Sequence, residues 1–264
     1  SKGVLRVGTE SGFLEFNSQL DEFTAPDGWE RVHILEMSED FQHRIWIGTD
    51  EGLACYYPGE NKTVWFTGTD TIKTIENAVL PFSAINHFTC RPDGKIWISG
   101  QNSGLFLFDP AIPGIVKSNT DFSVFFQKST ILKMKMVNNS LVVGTLISGL
   151  YIYDEEREKL VNKNFDTYGN TIHSFNLYED SVLLVATNNG LIRYNFNTDK
   201  YQIYTNVPLD PLTLTRTAIV YVFADKDNNI WVSNGIKGIN YGLNNVPFNH
   251  YGVSVGTDVI SITQ

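Results

Sequence analysis

The stretch Arg44-Ile-Trp-Ile-Gly-Thr-Asp-Glu-Gly-Leu-Ala-Cys-Tyr-Tyr57 decides the reading of this chain. An apolar run, Ile45-Trp46-Ile47, meets Gly48-Thr49. A two-residue step follows, then Gly52-Leu53 and a second apolar run ending on aromatics. Two short apolar runs about a glycine-bearing turn specify an antiparallel hairpin. The phrase returns as KIWISGQNSGLFLF at 95, SLVVGTLISGLYIY at 140 and NIWVSNGIKGINYG at 229.

Aligned on the tryptophan, the phrase falls at Arg6, Trp46, Trp97, Val142, Leu184 and Trp231. The spacing is about 40–50 residues with only strand-like segments between, the period of propeller blades. Each unit resolves into four short segments. The second unit reads VHILEMSED (32–40), RIWIGT (44–49), GLACYY (52–57) and TVWFTG (63–68). The third reads INHFTC, KIWISG, GLFLFD and FSVFFQ, the last at 122–127. No long 3.6-residue periodicity interrupts them, so helices are expected to be nearly absent.

The residue types suit blades that bury both faces. Middle strands such as LVV and LLV lose the apolar/polar alternation of a half-solvated sheet. The position two after the marker, Gly48, Ser99 or Ser233, must be small where a neighbouring blade approaches. Gly12, Gly52, Gly104, Gly149, Gly190 and Gly238 close the hairpins, where positive φ is expected. Ser1 begins just before a second strand, and Val259–Gln264 forms a lone innermost strand. The expected fold is therefore an all-β propeller of six four-stranded repeats in one domain, 1–264. Either the termini pair to seal six blades, or the chain is part of a seven-bladed ring.

The phrase Ile-Trp-Ile-Gly-Thr-x-x-Gly-Leu, with Asp40 six residues before Trp46, resembles the two-component regulator propeller repeat. Asp40 to Tyr56 and Asp225 to Tyr241 match best, the latter with Ser233-Asn234 in place of Gly-Thr and an extra residue before Gly238. The resemblance implies one propeller of the periplasmic sensory half of a hybrid histidine kinase. It implies adjacent propeller or sandwich domains as partners, a glycan breakdown product as signal and a homodimer as one arrangement. The family has no universal ligand motif, so no site residue carries over from it.

Composition excludes other classes. Net charge is −9, and the densest basic stretch is Lys128, Lys133 and Lys135, too little to hold a nucleic acid. No run of about 20 apolar residues spans a membrane. Cys55 and Cys90 sit in apolar strand patterns and read as buried free thiols. Asp225, Asp227 and Asn229 alternate as in a calcium loop. The sixth and twelfth positions are Ile230 and Ile236, so a polar turn is the expectation. His33, His43, His87, His173 and His250 show no metal-ligand spacing, and no nucleophile or phosphate-loop motif is present. No cofactor and no catalytic residue is expected.

What remains is a binding surface. The loops entering the innermost strands exceed what a turn needs, and excess loop tracks function. Together with the turns between second and third strands they should surround one mouth. The candidates there are Trp29, Arg31, Asp50, His87, Gln101, Asn102, His173 and Arg216. Aromatics beside amides and charges suit an oligosaccharide or other small polar ligand. A protein-interaction scaffold is the alternative, with a metal-dependent lactonase or lyase a more distant one.

Overall fold

A computed structural model of the chain describes residues 4–66, 80, 84–100, 103–111, 116–117, 126, 129–165, 170–210, 212–235, 238–243 and 249–251. Every extended element among them is a β-strand, and helical backbone is confined to Phe126. The strands form six antiparallel meanders. The first has three strands, Arg6–Thr9, Gly12–Asn17 and Glu22–Thr24. The second has four, Ile34–Glu39, Ile45–Thr49, Leu53–Tyr57 and Lys62–Phe66. The third comprises His87–Cys90, Ile96–Ser99, Leu105–Phe108 and Val116–Lys117. The fourth comprises Ile131–Val137, Ser140–Thr145, Leu150–Asp154 and Lys159–Lys163. The fifth comprises Ile172–Glu179, Val182–Thr187, Gly190–Asn195 and Lys200–Tyr204. The sixth comprises Tyr221–Ala224, Asn229–Ser233, Ile239–Leu243 and Asn249–Tyr251.

The hairpin repeat therefore falls where the sequence places it. One strand differs. The third sheet ends on Val116–Lys117, paired with Leu107 and Phe108, rather than on 122–127. Phe126 is the described residue of that stretch, and it is helical and buried. An apolar FSVFFQ segment reads as a strand on composition alone, but the ladder edge was already taken by a shorter, nearer pair. The strand expected to seal the ring, 259–264, lies outside the described residues. The chain divides into two compact units, residues 1–136 and 137–264.

In the first unit the core lies in two layers, one on each side of the second sheet. Ile45 and Ile47 pack with Phe13, Trp29, Ala54 and Tyr56. Trp46 faces the other way, into Leu53, Phe66, Ile85, Phe88, Ile98 and Phe108. Alternation thus persists geometrically while both faces stay apolar, and all five residues of Ile45–Thr49 are buried. The second unit repeats this in Val182–Thr187. Leu183 and Val185 join one cluster, Val182, Leu184 and Ala186 the other. Each such leucine contributes about 1.5–3 kcal/mol by burial.

Small residues admit the neighbouring sheet. A Cβ on Gly48 would stand 2.6 Å from the Ile85 carbonyl oxygen, and one on Gly144 2.7 Å from Ile172 Cγ2. Hairpin closure needs glycine for two reasons at once. Gly12 has φ +150°, and a Cβ there would lie 2.5 Å from the Trp29 carbonyl oxygen.

Two polar devices recur that the apolar pattern hides. Thr9, Thr49 and Thr187 each donate their hydroxyl to the carbonyl three residues on, at 2.9 Å, and Thr145 to Gly149 at 2.8 Å. Each also accepts a turn N–H at 3.0–3.1 Å. The threonine therefore satisfies the buried polar groups of the second-to-third turn. The second device is the aspartate six before tryptophan. Asp40 Oδ1 accepts the Gln42 and Arg44 N–H groups at 2.9 and 3.0 Å. Its Oδ2 accepts Arg44 Nε at 2.7 Å and the Trp46 indole N–H at 2.8 Å. Asp225 does the same for Asp227, Asn229 and Trp231, so the alternating acids at 225–229 form a turn.

Candidate ligand-binding site

Successive sheets are stitched where the chain enters each innermost strand. In the first unit Arg31 N–H donates to Ser11 O and Ile85 N–H to Thr49 O, both at 2.9 Å. At the same end, within the second and third sheets, Asp50 N–H donates to His33 O at 3.3 Å and Asn86 N–H to Ser99 O at 2.9 Å. In the second unit Gly149 N–H donates to Asn170 O and Ile219 N–H to Thr187 O. Entering segments and second-to-third turns therefore share one end of the sheets in each unit, the arrangement on which the expected mouth depends.

The candidate residues divide. Arg31 and Asp50 are exposed at that end of the first unit, Arg31 with φ +71°. His87 stands half-buried at the start of its strand. In the second unit His173 Nε2 lies 2.7 Å from Asn188 Oδ1, tying an innermost strand to a second-to-third turn. Arg216 is exposed in the loop entering the sixth sheet. Gln101 and Asn102 lie outside the described residues.

Trp29 is a correction. It is fully buried, edge-on to Phe13 at 5.2 Å and tilted against Trp65 at 4.8 Å. Its indole N–H donates to Thr63 Oγ1 at 3.0 Å. A ring enclosed on both faces offers no stacking surface; Trp29 closes the gap between the first and second sheets instead. Gly28-Trp29 reads as a loop tip because glycine marks a turn, but the apolar ring was drawn inward by the Phe13 and Tyr56 cluster.

A charged cluster near His87 was missed. Glu36 Oε1 accepts Lys133 Nζ at 2.8 Å, and its Oε2 accepts the Phe88 N–H at 3.0 Å. His87 Nδ1 lies 3.4 Å from the same Oε2. Three innermost strands of the first unit thus meet on one carboxylate. Burial pushes the Glu36 carboxyl up, but His87 and the Lys133 ammonium outweigh it and hold the carboxyl below the usual glutamate value. A committed, ionised carboxylate is a clamp rather than a general acid. The available signal was Glu36 standing alone in the apolar Ile-Leu-Glu-Met run, with Lys133 and Lys135 alternating in Ile-Leu-Lys-Met-Lys-Met.

Nucleophilic chemistry finds no footing in the thiols. Burial raises Cys55 to about 11 and Cys90 to about 12, the latter also by the nearby Asp40. Cys55 is fully buried; Cys90 is only half-buried, short of the expectation. Among the described residues no three His, Cys, Asp or Glu side chains gather as metal ligands.

Antiparallel meanders that bury both faces against neighbours, stitched at one end, are the blades of a β-propeller, and that is the fold class of this chain. No protein-family model matches it. It is similar in structure to the extracellular domain assigned to a hybrid two-component system of B. thetaiotaomicron, with TM-score 0.72 and 18% identity. That match covers 97% of this chain and 35% of the other. A second extracellular domain from B. thetaiotaomicron, also assigned to a hybrid two-component system, matches with TM-score 0.63 and 23% identity, over 87% of this chain and 30% of that one. Virginiamycin B lyase from Staphylococcus aureus shares the fold with TM-score 0.71 at 13% identity, over 97% and 83%. In sequence the chain is 26% identical over 172 residues to a histidine kinase of Formosa agariphila. The match takes in 62% of this chain and 12% of that relative's length. The resemblance read from the repeats, to two-component regulator propellers, is borne out by these likenesses. Among the described residues no helix is long and apolar enough to cross a membrane.

Proposed function

We propose that the chain is a non-enzymatic sensory propeller of a two-component receptor, working outside the cytoplasmic membrane. The sequence match to a histidine kinase carries this reading. The likeness to extracellular domains of hybrid two-component systems supports it. Ligand is taken at the end where entering segments meet the second-to-third turns. Arg31 and Asp50 serve there in the first unit, His173, Asn188 and Arg216 in the second. These groups donate and accept hydrogen bonds from a polar scaffold, as an oligosaccharide requires. Binding biases the receptor only if it favours one of its arrangements over the other.

Calorimetric titration of the chain with glycan breakdown products tests the proposal. A saturable ligand should lose affinity in an Arg31→Ala/Asp50→Ala variant, or in an Arg216→Ala variant, by about tenfold or more. Binding that survives both variants unchanged would remove the proposed mouth.

A further inference from the structure

The turns joining first and second strands differ at a position their geometry leaves free. In residues 40–44 and 225–229 the aspartate accepts the same two N–H groups and the fourth residue is left-handed, His43 at φ +60° and Asn228 at φ +59°. The corresponding third-sheet turn, 91–95, has Gly94 at φ +85°. The residue after the first is Lys226 in one turn, Pro92 in another and Phe41 in the second sheet. Phe41 is 75% exposed. Neither backbone nor core asks for an aromatic ring there, and its exposure to water is a cost the other turns avoid.

Beside it, between the second and third sheets, opens a cleft of about 360 Å³, within the range of small-ligand sites. Phe41 edges a smaller recess of about 110 Å³ that shares Gln42, Arg44, Trp46 and Asp93 with the cleft. Val64 and Phe66 give one wall apolar character. The rim carries the Gln42 amide, the Arg44 guanidinium and the Asp93 and Asp109 carboxylates. Arg44 lies over the Trp46 ring at 5.4 Å and is already bonded to Asp40. Asp93 is paired in turn with Arg91 Nε at 3.1 Å and Lys95 Nζ at 3.7 Å. The rim's charges are thus largely balanced, with no cation left over for an anion, and its oxygens accept from hydroxyls. Apolar wall, exposed aromatic and mixed donors and acceptors together match a polyol with one apolar face.

We propose that the cleft and its adjoining recess together bind a neutral, sugar-sized polyol, its ring against Phe41 at the recess and its hydroxyls on Gln42, Arg44, Asp93 and Asp109. The site lies at the end of these sheets opposite the mouth, and it does not rest on the mouth reading. The test is calorimetric titration of the whole chain with glucose, galactose, xylose, cellobiose and lactose, with glucuronate as the anionic control. Two variants run in parallel. Phe41→Lys installs the residue an equivalent turn already carries, and Asp109→Asn keeps the side-chain oxygen that holds the Ala111 N–H. At least one neutral sugar should bind and weaken about tenfold in each variant, glucuronate should bind more weakly than glucose, and Arg31→Ala/Asp50→Ala should leave binding intact. The proposal is overturned if none of the neutral sugars binds saturably, if binding survives both substitutions, if it is lost in the Arg31→Ala/Asp50→Ala variant, or if glucuronate binds as well as glucose.

Discussion

Gly48→Ala isolates the force that holds the blades together. Gly48 lies inside a regular strand without positive φ, where alanine alone would stabilise by roughly 0.5–1 kcal/mol through chain entropy. Tertiary packing opposes this. The new methyl would meet Ile85 O at 2.6 Å, with Ile85 Cγ2 and Phe88 Cδ1 each at 3.3 Å. A backbone oxygen has no rotamer to escape into, and Ile85 N–H is tied to Thr49 O at 2.9 Å. The third sheet must therefore retreat from the second, loosening the cluster around Trp46, Phe88 and Ile98. Overpacking of this kind costs about 1–3 kcal/mol, so after the chain-entropy gain a net destabilisation of about 1 kcal/mol is expected. Urea unfolding followed by tryptophan fluorescence measures it, with Gly59→Ala as control, since a Cβ at Gly59 meets nothing within 4 Å. Gly144→Ala should cost less, because its first obstacle is a side-chain methyl of Ile172. If Gly48→Ala is as stable as the Gly59→Ala control, close approach at this position is not what fits sheet to sheet.

Asp40→Ala removes an acceptor shared by four donors and strands the buried indole N–H of Trp46; a loss of about 2–4 kcal/mol is expected by urea unfolding, and a change below about 0.5 kcal/mol would contradict it. For Asp40, burial raises the carboxyl but the Trp46 and Arg44 hydrogen bonds outweigh it, so Asp40, like Glu36, titrates below its unfolded value. In acid the unfolded chain then binds more protons than the folded one, so their stabilisation is complete above the ordinary carboxylate range and fades as pH falls through the lowered folded values. Unfolding free energy against pH should drop there, less steeply in Asp40→Asn; a parallel drop in wild type and variant would count against Asp40. With thiols at about 11 and about 12, neither Cys55 nor Cys90 should react with a disulfide reagent near neutral pH until denaturant is added, and rapid labelling of the native chain would refute their placement.

Much of the candidate surface was legible only as loop length. The segments entering the innermost strands do gather with the second-to-third turns, but loop membership did not separate Arg31, which is exposed, from Trp29, which is buried. An aromatic at a loop end has the same local pattern whether it caps a core or faces solvent. Glu36 was passed over for the converse reason. A lone acid in an apolar strand becomes meaningful only when Lys133, 97 residues away, is seen to reach it.

By itself the sequence determined the hairpin, its repetition and the burial of both strand faces. Those features depend on period-two alternation, glycine φ and residue size within a few positions, all local quantities. The aspartate six before tryptophan was visible as a spacing, and its hydrogen bonds are local too. Only tertiary structure decided which rings are enclosed, which carboxylate ties three strands and where the cleft beside Phe41 opens. Each of these depends on the separation between sheets built from residues tens of positions apart, and that separation is set by side-chain volumes meeting across the gap rather than by any one strand's own pattern.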